Sequence, residues 1–159
     1  MYRVLEVSGV PYRIEYTIEA ALYEECIETV TNFMIGMGEA SGEKDIKMLI
    51  KNMASVPSLT ITLLYAGLLE HHGTHKGADG TVTCLEDAKQ IATQYIRENK
   101  DSEFGNFYGL MEILLKQMGD DGFFKQIGLE QMMQASNEQA EPKKPQDHKK
   151  KASQISAVK

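Results

Sequence analysis

The sequence changes character at Ala135, and that change limits how much of the chain can fold. Beyond it, SNEQAEPKKPQDHKKKASQISAVK has no aromatic residue, no Leu and no Met, and its only larger aliphatics are Ile155 and Val158. Ordering a residue costs roughly 1–2 kcal/mol of backbone entropy, which so little apolar surface cannot offset. Residues 135–159 therefore read as a disordered Lys/Pro/Gln-rich tail and residues 1–134 as one globular domain. Charge divides at the same place. The tail holds six lysines (Lys143, Lys144, Lys149, Lys150, Lys151 and Lys159) against Glu138, Glu141 and Asp147, a net +3; the whole chain is −6, which leaves −9 on the domain. An acidic domain with a loose basic extension suits contact with other proteins. Lys143, Lys144, Lys149, Lys150 and Lys151 are the candidate contacts in the extension. Nucleic acid is disfavoured as a specific ligand, because the extension has no Arg and no interleaved aromatics.

A domain of about 130 residues can bury a real core, and 42 % of the chain is hydrophobic. No apolar run approaches the roughly 20 residues that span a bilayer, so no membrane is expected as a partner. The opening MYRVLEVSGVPYRIEY lacks the apolar stretch of a secretory signal. The two cysteines, Cys26 and Cys84, make neither a metal framework nor a disulfide framework. They read as reduced thiols in a cytoplasmic protein.

The periodicity of apolar residues gives the fold class. Over residues 2–17, Tyr12, Ile14 and Tyr16 alternate with Arg13, Glu15 and Thr17, and Ser8-Gly9-Val10-Pro11 splits the run. That is a β-hairpin pattern. A lone hairpin is marginal in water, so its apolar face is expected to pack on helices. From about residue 19 to 133 the period becomes helical. Leu22, Cys26, Ile27, Val30, Phe33, Met34 and Met37 mark a first helix. A second runs from Glu43 to Ala54, carries Ile46, Leu49, Ile50 and Met53, and is ended by Pro57. Ser58 caps a third, a buried central helix that stops at Gly73. GTHKGADGTVT reads as an exposed loop. Thr83 and Glu86 form a capping box for the next helix, whose inward residues are Leu85, Ala88, Ile91, Tyr95 and Ile96. Ser102 caps another, with Phe104, Phe107, Met111, Leu114, Leu115 and Met118 inward, and Gly119-Asp120-Asp121-Gly122 breaks it. FFKQIGLEQMM closes the domain. The expected class is mainly α with a small N-terminal hairpin (α+β), bundle-like, followed by the disordered tail.

Catalytic chemistry has little to stand on. His71, His72 and His75 lie near Cys84, but Gly73 ends the helix that would align two imidazoles on one ion. Gly77-Ala78-Asp79-Gly80 lacks the ligand spacing of a calcium loop. No phosphate loop and no nucleophile motif is present. No enzyme, no cofactor, no metal and no small-molecule substrate is expected. The nine methionines carry more information. Met34, Met37, Met48, Met53, Met111 and Met118 fall on helical stripes and read as core. Met132 and Met133 lie with Phe123 and Phe124 at the end of the domain. There a Met-rich apolar surface would adapt to a protein partner.

The opening VSGVPYRIEY, the helix EAALYEECIETV, the all-helical remainder and the Lys/Pro/Gln-rich end together resemble the tail assembly chaperones of long-tailed (siphovirus-type) bacteriophages and prophages of Gram-positive bacteria. The resemblance implies a non-enzymatic factor that coats the tape-measure protein and recruits the major tail protein. It implies action in the host cytoplasm and absence from the mature virion. Homo-oligomers are compatible with it. It also implies a second, longer product made by a programmed frameshift, for which Lys149-Lys150-Lys151 would supply an A-rich slippery tract. The competing class is a small cytosolic regulatory or adaptor protein that binds one host or phage protein.

Overall fold

The computed structural model describes residues 1–39, 46–129 and 131. The elements are β1 (Arg3–Val7), β2 (Val10–Ile14), α1 (Ile18–Leu22), α2 (Glu24–Glu39), α3 (Ile46–His72), α4 (Leu85–Glu98), α5 (Phe107–Asp120) and α6 (Phe123–Gln126). The protein is mainly helical with a two-stranded antiparallel hairpin at its N-terminal end. The expected tail, residues 135–159, lies outside the described residues.

The hairpin turns on two residues. Ser8 (φ 52°) and Gly9 (φ 75°) both take positive φ, the pattern that matches the right-handed twist of the flanking strands. Leu5, Val7 and Ile14 face inward and are buried. The hairpin docks on α3, where the Glu15 amide donates to the Gly67 carbonyl at 2.9 Å. Close approach at this point requires glycine. A Cβ on Gly67 would lie 2.6 Å from Ile14 Cγ2 and 3.1 Å from Tyr16 Cζ.

A second anchor holds the turn. The amide and hydroxyl of Ser8 both donate to the Glu98 carboxylate of α4, at 2.9 and 2.7 Å. The Ser8 amide, then Gln94 and the Ser8 hydroxyl, hold Glu98 below its ordinary value of 4.5. A carboxyl lowered on folding stabilises the fold fully above its unfolded value and loses that contribution as pH falls through the folded one. Glu98→Gln should therefore lower the thermal midpoint more at pH 7 than near pH 3. Midpoints recorded from pH 3 to 7 check this, and an equal fall at both ends would contradict it.

The helices depart from the sequence expectation in informative places. The first predicted helix is two, because Tyr23 adopts extended backbone (φ −85°, ψ 90°) between α1 and α2. Its ring packs edge-on against Tyr65 at 5.2 Å. The second and third predicted helices are one. Pro57 lies inside α3 and Ser58 caps nothing. An interior proline costs about 3 kcal/mol by removing a ladder bond and crowding the preceding turn. Here that turn, residues 53–55, is exposed. Burial of Val56, Leu59, Leu63, Leu64, Ala66 and Leu68 on one continuous helix outweighs the cost, at roughly 1.5–3 kcal/mol per large side chain.

The loop after α3 is not simply exposed. Asp79, Gly80 and Val82 donate their amides to the carbonyls of His71, Gly73 and His72. These carbonyls at the helix end would otherwise lack partners. Val82 becomes part of the core, 1 % exposed. The capping box falls one residue later than expected: Cys84 is the N-cap, and Asp87 accepts from the amides of Thr83 (2.7 Å) and Cys84 (3.1 Å). Asn106, not Ser102, caps α5, its Oδ1 accepting from the Gly109 amide at 2.9 Å. Phe104 therefore lies before the helix and is partly exposed.

The core forms around α3, which touches α1, α2, α4, α5 and β2. Residues Asn52–His72 of α3 are long and apolar enough to cross a membrane (mean hydropathy 1.3), and half of that stretch is buried within the protein. The sequence reading, which broke this run at Pro57, missed it.

Candidate protein-binding surface

The histidines belong to the hairpin anchor. The Arg13 amide donates to His72 Nε2 at 2.9 Å, which leaves the ring proton on Nδ1, 2.7 Å from Asp79 Oδ2. His71 Nε2 lies 2.9 Å from Glu15, and His75 Nδ1 lies 4.0 Å from Glu19. Each imidazole thus has its own carboxylate from a different place in the chain, and the three do not converge. Among the described residues no group of three or more His, Cys, Asp or Glu could hold a metal ion. Asp121 is likewise structural. It accepts from the Tyr16 amide at 2.9 Å and from Gln117 Nε2 at 2.8 Å. Cys26 is fully buried, and burial pushes its thiol up to about 12. It is therefore protonated and inert at neutral pH.

The predicted partner site divides. Phe123 is not a surface residue. It is 0 % exposed, and its ring meets Tyr16 edge-on at 5.9 Å. The short helix α6 turns this ring inward because Gly122 (φ 70°) re-aims the chain after α5. Phe124 is half-buried against the same core. Met132, Met133, Lys143, Lys144, Lys149, Lys150 and Lys151 lie outside the described residues.

Among the described residues, an apolar surface along α2 is left uncovered. That helix has two stripes. Cys26 and Val30 are buried toward α3, with Phe33 packed beside them. Glu24, Ile27, Glu28, Thr31 and Asn32 lie around the helix from these and line an open groove of about 620 Å³. Ala21 and Leu22 close one end, and Ile127 and Leu129 form the opposite wall. Helical spacing puts Ile35 on the same face as Glu24, Glu28 and Thr31, beyond the groove. Leu22 is 73 % exposed and Ile35 55 %, so an exposed aliphatic side chain lies toward either end of the groove.

Toward the far end of the α2–α3 pair more apolar side chains are exposed. Asn52 Nδ2 donates to the Gly36 carbonyl at 3.3 Å, and beside this contact Met34, Ile35, Ile50 and Met53 are all exposed. Two methionines expected in the core, Met34 and Met53, are thus on the surface. Met111 and Met118 are buried as expected. The rim is acidic. The sequence of α2 contains four Glu and no Lys or Arg, and Glu24, Glu25 and Glu28 are exposed.

This arrangement has no reactive group. It offers a groove lined by aliphatic side chains (Leu22, Ile27, Ile127 and Leu129) and by the carboxylates Glu24 and Glu28, a shape and charge that take an amphipathic helix with basic flanks. The sequence did contain the signal. α2 carries more apolar positions than one core-facing stripe can hold, and the surplus (Met34 and Ile35) is exposed, while Ile27 is half-buried in the groove lining. Comparison with known proteins adds nothing to this picture: no family model, no curated protein and no solved structure matches the chain.

Proposed function

We propose that the protein is a tail assembly chaperone of a long-tailed bacteriophage or prophage. In this reading it is a non-enzymatic factor that shields helical segments of the tape-measure protein and helps to recruit major tail subunits. It acts in the host cytoplasm and leaves before the virion is complete. The observation that carries the reading is the face of α2 that the described residues leave open, with its groove between Leu22 and Leu129 and its exposed Met34 and Ile35. A tape-measure protein is long, helical and apolar along one face, and so aggregates unless covered. A shield for many such segments needs a groove that tolerates varied side chains, and exposed methionines provide that tolerance.

The test is to mix the full chain with a helical fragment of the tape-measure protein encoded beside it. The fragment should stay soluble and co-elute with the chain. Equal precipitation with and without the chain would overturn the reading. Binding of one globular partner but of no tape-measure fragment would favour the adaptor class instead.

A further inference from the structure

We infer that the outer edge of β1 pairs with the same edge of a second copy, joining two hairpins into one four-stranded antiparallel sheet across a twofold axis. Among the described residues the sheet has two strands, in the order β1–β2, so each strand has one edge turned away from the other. The two edges differ. That of β2 is closed by the body of the protein. The Arg13 amide donates to His72 Nε2 and the Glu15 amide to the Gly67 carbonyl, both at 2.9 Å. Pro11, in the same row of β2, has no amide to offer. β2 thus leans on α3, and β1 forms the side of the hairpin away from it.

Those bonds also fix which groups β1 presents. Along an antiparallel pair, residues alternate between exchanging bonds with the opposite strand and turning their amide and carbonyl outward. Arg13 turns outward, so Val4, opposite it in the register, does the same, and Tyr2 and Glu6 follow at intervals of two. The Ser8 amide continues this row and is held by Glu98 at 2.9 Å. The edge that can receive another strand therefore runs from Tyr2 to Glu6. No proline, lysine or bulge interrupts it, the devices that commonly keep edge strands apart. The side chains above it are Tyr2 and Val4, 47 % and 46 % exposed, and the exposed Glu6.

A second copy fits this edge because the row is self-complementary, as a twofold interface requires. With Val4 opposite Val4, the pairing uses Tyr2 to Glu6 of each strand and stops short of Ser8. Sliding one strand by two residues toward the turn sets Tyr2 against Ser8, whose amide Glu98 already holds. In the first register Tyr2 of one copy lies opposite Glu6 of the other, with Cβ atoms about 5 Å apart. The Arg13 guanidinium rests over the Tyr2 ring, 5.1 Å from its centroid, and there it meets Glu6 of the second copy. The twofold makes this ion pair twice, and no like charges face each other across the seam. Five residues a side make a small interface, so the dimer is weak and reversible.

Sedimentation equilibrium of the full chain, from about 10 µM to about 1 mM, is the test. The chain should pass from monomer to dimer across that range, and Val4→Pro should remove the dimer. The amide lost there points away from β2, so the hairpin keeps its own bonds and the circular dichroism should stay as in the parent. Glu6→Arg and Arg13→Glu should each weaken self-association about tenfold, because each sets like charges against one another twice. Mixing these two charge variants should restore the dimer, since a mixed pair contains one Glu6–Arg13 contact and one with the charges exchanged. If Val4→Pro unfolds the hairpin, the mixture decides. A chain monomeric throughout, a dimer that persists in a folded Val4→Pro variant, or a mixture no more associated than its two components would overturn the inference. No client takes part, so neither outcome bears on the tape-measure reading.

Discussion

Phe123→Ala should lower the thermal midpoint by about 10–20 °C. Phe123 is wholly buried, and its ring packs on both Tyr16 and Phe124, at 5.9 and 6.2 Å between centroids. Tyr16 in turn donates its hydroxyl to the Leu63 carbonyl at 3.0 Å, and its amide to Asp121. One ring thus joins α6 to the end of the hairpin and to α3. Truncating a buried Phe removes apolar contact and leaves a cavity that rigid neighbours do not fill, costing about 3–5 kcal/mol. In a domain of this size each kcal/mol shifts the midpoint by about 3–4 °C. The half-buried Phe124 should show less than half that fall on the same substitution. A circular dichroism melt of each variant makes the comparison. Equal, small effects would place Phe123 on the surface, where the sequence suggested it lay.

The largest effect on binding is expected from Thr31→Arg combined with Ile35→Arg. Thr31 lines the groove and Ile35 extends its face. Neither is a buried core residue, and Arg favours helix. Two bulky charges on this face should reduce affinity for a helical tape-measure fragment at least about 100-fold, or about 2.7 kcal/mol. The midpoint should move by only a few degrees. Calorimetric titration with the fragment measures the first and a melt the second. Undiminished binding would remove α2 from the interface.

These two substitutions also mark where the sequence was legible. The hairpin could be read because a period of two around Ser8-Gly9 admits little else. The core-facing residues of α4 and α5, such as Ala88, Ile91, Leu114 and Met118, followed from helical period alone. Pro57 and Ser58 misled because they are strong local stop-and-start signals. What overrides them is burial of α3 by five other elements, a tertiary effect with no local trace. Val82 was missed because a glycine-rich loop has no periodicity, and its burial follows from amides that return to the end of α3. The candidate surface was misplaced for a related reason. Phe123 and Phe124 sit next to a polar segment in sequence, but adjacency does not say which way a ring points. Leu22 of α1 and Ile27 and Met34 of α2 read as part of one core stripe. Only packing shows that Cys26 and Val30 are buried, with Ile27 and Phe33 partly buried against them, while Leu22 and Met34 remain outside.

Hydrogen exchange of the full chain with and without a helical tape-measure fragment tests the central claim most directly. Bound client should slow exchange in α2, above all from Glu24 to Ile35. It should leave β1, β2 and α4 unchanged, since these lie away from the groove walls formed by Ala21–Asn32, Ile127 and Leu129. Protection confined to the hairpin or to α4, with α2 exchanging as in the free protein, would contradict the account.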